Sequence, residues 1–166
     1  MTPLPPPLGS GAWWAWRIDP RPLAGTWDSG EGAYRVGGRW NSRGVRAVYC
    51  SLDPATAILE VAVHKGFRAL DTVPHVLTAL RILNPADVFV VDAAAIPDPQ
   101  WLRPGLPTDQ QQRYGDALLG RHSMVLIPSV VSRHSWNAIF ERGAGAGAYA
   151  LVSQEEFVLD PRLHVR

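Results

Sequence analysis

The chain has 166 residues, a length that suits one domain able to bury a core without covalent staples. Hydrophobic residues make up 46% and charged residues 19%, with a net charge of only +1, so the balance recommends neither a nucleic-acid nor a membrane surface. A single cysteine, Cys50, excludes an internal disulfide and fits a reducing compartment. No apolar run approaches the ~20 residues of a membrane span. Prolines stand where a signal peptide would carry its basic and apolar regions. A cytoplasmic location is expected. The basic residues are lopsided, 15 Arg against the single Lys65. GC-rich coding explains such a bias; the functional alternative is forked recognition of phosphate or carboxylate.

Residues 1–11 are rich in Pro and Gly and read as a flexible lead-in to a domain spanning 12–166. Ala12–Ile18 reads as a short strand, with Trp13, Trp14 and Trp16 as hydrophobic anchors. Arg17 lies between Trp16 and Ile18, and an arginine so flanked needs a partner if it points inward. Asp19–Arg35 is turn-rich and expected to be a loop or lid. The glycine turn Gly37-Gly38-Arg39-Trp40-Asn41 follows, then a strand over Val45–Cys50. It lacks the Gly-Lys-Ser/Thr ending of a Walker loop, and the strand after it excludes a Rossmann fingerprint.

Asp53 as N-cap, Pro54 in the first helical position and Gly66 as a stop predict a helix over 54–65. Ala55, Ile58, Leu59, Ala62 and Val63 form its apolar stripe, with Glu60 on the flank beside His64. Residues 75–84 and 87–92 read as strands joined by a tight turn at Asn84-Pro85. Residues 93–107 are irregular. Thr108 or Asp109 caps a second helix running to about Gly120, with Tyr114, Ala117 and Leu118 inward and Gly115 as a weak point. Residues 123–128 read as a buried strand delivering Ser129. Residues 143–148 form a turn, and 148–152 and 157–159 are two short paired strands. Mixed short, mostly antiparallel strands with two or three helices indicate one compact α+β (mixed α/β) domain. The five histidines are scattered, and Glu60 with His64 lacks a third ligand, so no metal site is expected.

Residues 37–60 gather the chemistry. A loop cation, Arg39, a strand aromatic, Tyr49, and a helix carboxylate, Glu60, can converge on one cavity. Together they suit a ligand anionic at one end and cationic at the other. An oxidised nicotinamide dinucleotide answers that description, as do other phosphorylated ligands.

The ordered set WRI, GGRWN, VYCS, the LEV core of AILEVAVH, VLIPS and a following Asn resembles the RES domain, a family named for its arginine, glutamate and serine. The likeness runs from Trp16 to Asn137 and is most specific over 37–64. It implies a bacterial toxin with a fold related to ADP-ribosyltransferases. Such toxins deplete NAD and are usually neutralised by a small Xre-like DNA-binding antitoxin. By position, Arg39, Tyr49, Glu60 and Ser129 correspond to the family's arginine, tyrosine, glutamate and serine. Arg17 matches an arginine near its start, and Asn137 the asparagine after the serine strand.

On that resemblance Glu60 stabilises the positive charge that develops as the nicotinamide–ribose bond breaks. Arg39, with Arg17, grips the pyrophosphate, and Tyr49 stacks on nicotinamide. Trp40, Asn41, Ser51, Ser129 and Asn137 are further NAD contacts. The acceptor is water or inorganic phosphate; transfer to a protein and an inactive binding module are the alternatives. NAD enters as substrate, with no metal, nucleic acid or membrane partner, and a homodimer is left open. Where the family often continues to Asn-Pro, this chain has Glu141-Arg142, which bears on the rim of the site.

Overall fold

Residues 12–163, apart from residue 144, are described by a computed structural model; the expected lead-in over 1–11 lies outside them. Seven strands occupy the described residues: β1 (Trp13–Pro20), β2 (Val48–Ser51), β3 (His75–Ile82), β4 (Val88–Val90), β5 (Met124–Pro128), β6 (Trp136–Phe140) and β7 (Tyr149–Phe157). They form one sheet in the order β4-β5-β6-β2-β1-β3-β7. Every neighbouring pair is antiparallel except β4 with β5. The mixed, mostly antiparallel architecture is the one expected. Four α-helices accompany it among the described residues: α1 (Glu31–Val36), α2 (Pro54–Lys65), α3 (Phe67–Thr72) and α4 (Asp109–Leu119).

Several elements differ from the sequence reading. The stretch read as a loop or lid folds as a 3-10 helix, Arg21–Thr26, and then α1. Residues 75–92 do not make a hairpin. Both edges of β3 are taken, by β1 and β7, so Val88–Val90 crosses to the far end of the sheet and pairs parallel with β5. The two strands expected near the C-terminus are one nine-residue strand. Its polar middle, Ser153–Glu156, reads as a break, but β7 is an edge strand and those side chains lie exposed.

The helix over 54–65 forms with the bounds its caps dictate. The Asp53 carboxylate accepts from the Thr56 backbone N–H at 2.7 Å, and the Gly66 N–H closes the other end on Ala62 O. Its buried stripe is turned from the expected one. Thr56, Ala57 and Ala62 are buried, with Ile58 and Val61 packed alongside, whereas Ala55 is exposed and Val63 is 62% exposed. The turn follows from Asp53 and Glu60, seven residues and two turns apart, which both reach toward the sheet. Helix α4 starts at a capping box in which Thr108 and Gln111 satisfy each other's backbone N–H groups. Its buried face is Gln111, Gly115, Leu118 and Leu119, and Ala117 is exposed.

Strand pairing sorts the side chains onto two faces. One face carries Ile18, Tyr49, Ser51, Val125, Ile127, Asn137 and Ile139. Helices α2 and α3 cover it around Ile18 and Leu77. Helix α4, with the Ala93–Trp101 segment, covers it around Val125, Ile127 and Ile139. The opposite face carries Ala15, Val48, Cys50, Leu80, Met124, Leu126 and Phe140, and Trp27 packs on it. Tyr49, Ser51 and Asn137 therefore rise from the sheet between two groups of helices.

Gly115 explains itself at this seam. A Cβ there would stand 2.0 Å from the Trp40 carbonyl oxygen, so the α4 backbone rests directly on the Trp40 backbone. Helix propensity alone would have Gly115→Ala stabilise by about 1 kcal/mol. The clash reverses the sign: urea denaturation of G115A should show a loss of about 3 kcal/mol.

Candidate functional site

Glu60 projects from α2 toward the ends of β5 and β6. Its Oε1 accepts from the Ser129 hydroxyl at 2.8 Å and from Asn137 Nδ2 at 2.6 Å. Asn137 Oδ1 accepts in turn from the Ser51 hydroxyl at 2.8 Å. Ser129 Oγ accepts from the backbone N–H groups of Val131 and Ser132, at 3.2 and 2.9 Å. Two turns earlier Asp53 caps the same helix and bonds Ser135. The segment between β5 and β6 is thus tied to α2 at both ends. Burial pushes the Asp53 carboxyl up, but the Ser135 and Thr56 bonds outweigh it and the net shift is downward. The half-exposed ion pair of Glu60 with His64 is not formed: His64 is exposed, and Glu60 is turned to the sheet.

Arg39 comes from the other side. Its guanidinium donates to Gly105 O at 2.8 Å and to Gln111 Oε1 at 3.4 Å. Burial lowers its pKa, and the charges of Glu60, Tyr49 and Asp98 offset only part of that, so the net shift is downward. Gln111 is the residue the sequence reading did not use. Buried in the α4 capping box, it also accepts from the Thr108 N–H and donates to Trp101 O. The Thr-x-x-Gln signature at 108–111 was the signal that could have found it.

Tyr49 lies on β2, on the face of the sheet that carries Ser51 and Asn137. Its hydroxyl donates to Asn41 Oδ1 at 2.7 Å and accepts from the Trp40 N–H at 3.1 Å. Asn41 spends its amide hydrogens on the carbonyls of Ala33, Ser42 and Val45. The glycine turn is wound about this pair: a Cβ on Gly38 would meet Tyr49 Oη at 2.6 Å and Asn41 Oδ1 at 2.7 Å. Burial, the largest cause, pushes the phenol pKa well above its ordinary value. The hydroxyl is a fastener, and any ligand contact of Tyr49 is left to the ring. Trp40 and Asn41 are buried, the Trp40 ring against Trp101 and Tyr114, so both support the turn from inside.

Arg17 departs most from its expected place. Alternation along β1 sets it with Ala15 and Asp19 on the face opposite to Ser51 and Asn137. Its charge is met there by Asp19 at 2.7 Å, and one N–H reaches through to the Tyr49 carbonyl at 2.9 Å. Burial lowers its pKa, Asp19 more than compensates, and the guanidinium stays charged. Arg17 therefore braces β1 against β2. Arg142 is likewise occupied. It pairs with Asp28, which also accepts from Tyr149, at the end of β6 remote from Asn137. The Glu141-Arg142 departure starts four residues past Asn137, roughly 13 Å along a strand. A hollow of about 450 Å³ is lined by Tyr34, Arg35, Arg43 and Gly44; none of Arg39, Tyr49 or Glu60 lines it. Among the described residues no cluster of His, Cys, Asp or Glu is suited to a metal ion. Nor is any helix there long and apolar enough to cross a membrane.

An arginine on a glycine turn, a glutamate on a helix and a serine at a strand end, the last two hydrogen-bonded, stand beside a mostly antiparallel sheet. The chain belongs to the RES domain family, whose model matches residues 15–160. It is 31% identical over 137 residues to a Pseudomonas putida protein named Toxin Res, an alignment covering 81% of this chain and 91% of the relative. Its fold is similar to a chain in the crystal structure of the M. tuberculosis MbcT–MbcA toxin–antitoxin complex. The TM-score is 0.63 and the identity 21%, over 89% of this chain and 85% of that one. At that identity the likeness concerns the fold.

Two outcomes follow from the buried groups. Tyr49→Phe strands the Trp40 N–H and Asn41 Oδ1, and should cost about 2 kcal/mol in urea denaturation. Cys50 is buried and its thiol is pushed up to about 12, mainly by burial. An unfolded thiol ionises near pH ~8.5, so the folded state binds the proton more tightly above that point. Stability should be full below about pH 8.5 and fall progressively as pH rises toward 12. Cys50→Ala should flatten that decline, and the native thiol should resist alkylating reagents.

Proposed function

We propose that the protein is the toxin of a toxin–antitoxin pair and depletes NAD by cleaving the bond between nicotinamide and ribose. The observation that carries this reading is the state of Glu60. Its carboxylate is held by two donors on one oxygen, and it interacts electrostatically with a cation, Arg39, supplied by a separate element.

In NAD the glycosidic carbon bears a cationic pyridinium leaving group. When the C–N bond breaks, its electron pair moves onto the ring nitrogen and nicotinamide departs neutral, so no general acid is needed. Positive charge is left on the ribose carbon and ring oxygen. A fixed carboxylate lowers the barrier by facing that charge or by holding the ribose hydroxyls, as in glycoside cleavage. Glu60 is assigned this role. Arg39 takes the pyrophosphate, for which a forked guanidinium is suited. The Tyr49 ring bounds the nicotinamide end, and Ser129 holds Glu60. The acceptor, water or inorganic phosphate, forms the new bond to the ribose carbon through oxygen and releases its proton to solvent, giving ADP-ribose or its phosphate ester. An Xre-like DNA-binding antitoxin is the proposed partner, in keeping with a fold neighbour solved within a toxin–antitoxin complex.

Product analysis decides the matter. Purified protein mixed with NAD should release nicotinamide, with ADP-ribose formed in water and its phosphate ester appearing when phosphate is added. Label retained on protein instead would mark a mono-ADP-ribosyltransferase. Glu60→Gln keeps an acceptor oxygen for Ser129 and Asn137 and removes the charge. It should fold normally and lose at least about 100-fold in turnover. Unchanged turnover in that folded variant rules the assignment out.

A further inference from the structure

We infer that Asn137 and Ser51 are positioning residues that clamp Glu60 by one oxygen and leave the other for the ligand. The consequence for turnover rests on the proposed NAD reaction; the geometry does not. Ser51 of β2 and Asn137 of β6 are direct cross-strand partners, so their side chains rise side by side from one face. Both are nearly closed to solvent, at 3% and 7% exposure, and Ser129 is at 0%. Water is poorly placed to replace any of them.

The direction of the bonds follows from what each group can do. A carboxylate only accepts, so Asn137 must turn its NH2 to Glu60 and its Oδ1 away. Ser51 then has to spend its one hydroxyl proton on that Oδ1. Ser129 is committed in the same way, because two backbone N–H groups already fill its oxygen and its proton is left for Glu60. Both lines end on Oε1, and no described residue donates to Oε2. Two donors on a single oxygen, from β6 and from the end of β5, fix the rotation of the carboxylate. Asn137 and Ser51, expected from the sequence as ligand contacts, act through Glu60 instead. The charged and titratable groups set against Glu60 from other elements are Arg39 from the glycine turn and Tyr49 from β2.

The test combines 13C-carboxyl NMR of the Glu60 titration with NAD kinetics on Asn137→Asp, Ser51→Ala and Ser51→Thr. Asn137→Asp is isosteric and sets a second carboxylate against Glu60. The pair should hold a shared proton, and the acid midpoint should move up by at least about one pH unit. The acid limb of kcat should move with it, and kcat should fall while KM changes little. Ser51→Ala should lower kcat in the same sense, and Ser51→Thr, which restores the hydroxyl, should recover it. A Glu60 titration identical to wild type in Asn137→Asp overturns the inference. So does a rise in KM at constant kcat, which marks direct ligand contact. If Asn137→Asp does not fold, the Ser51 pair decides alone: equal kcat in Ala and Thr variants overturns it. Should wild-type protein show no NAD turnover, the titrations still decide the positioning role, and the functional proposal alone falls.

Discussion

A carboxylate has lone pairs and no proton to offer, and this single asymmetry organises the centre of the molecule. Once Glu60 is turned inward, every group that meets it has to be a donor. Asn137 is thereby oriented, Ser51 is oriented by Asn137, and Ser129 is oriented by two backbone N–H groups. The same demand turns helix α2 about its axis, exposing Val63 and burying Thr56. Asp53 reinforces the turn from the helix start, where it serves as cap and as tether to Ser135.

The sheet separates two kinds of polar residue that the sequence interleaves. Tyr49, Ser51 and Asn137 face the helices, on the side of the candidate site. Arg17, Asp19 and Cys50 face the other way, where charge is neutralised internally and the thiol is kept protonated. Alternation with period two makes the division, so adjacent residues serve different ends. Cys50 lies between Tyr49 and Ser51 in the chain and takes no part in what they do. The Arg17 bond to the Tyr49 carbonyl links the two faces. It holds the strand beneath the site without entering the site.

How far the sequence could be read depended on whether a signal was local. Asp53, Pro54 and Gly66 bounded α2, and Thr108 opened α4, because caps act over three or four residues. The six-residue α1 and α3 have no side-chain N-cap and too few turns to show a period. Strand β6 was missed because Trp136–Phe140 is buried on both faces and shows no alternation. The 75–92 hairpin misled because local turn chemistry is silent on whether a strand's edges are already occupied. Arg39, Glu60 and Ser129 were legible as an ordered set. What they do to one another was not, since the Ser51–Asn137 bond joins residues 86 apart. Face assignment failed at Arg17 for a related reason: a single strand read alone has no inside or outside.

The contact between Gly115 and the Trp40 carbonyl has a mechanical meaning. With no side chain between them, the helix and the glycine turn are in direct backbone contact, and Gln111 of α4 and Gly105 of the loop before it hold the Arg39 guanidinium. Glu60 is bolted through Ser129 and Asn137 to the strand ends. The cation and the anion are thus held by separate supports, Arg39 by Gln111 and Gly105 and Glu60 by the strand ends, so a change in how α4 packs acts on one of them without passing through the other's hydrogen bonds.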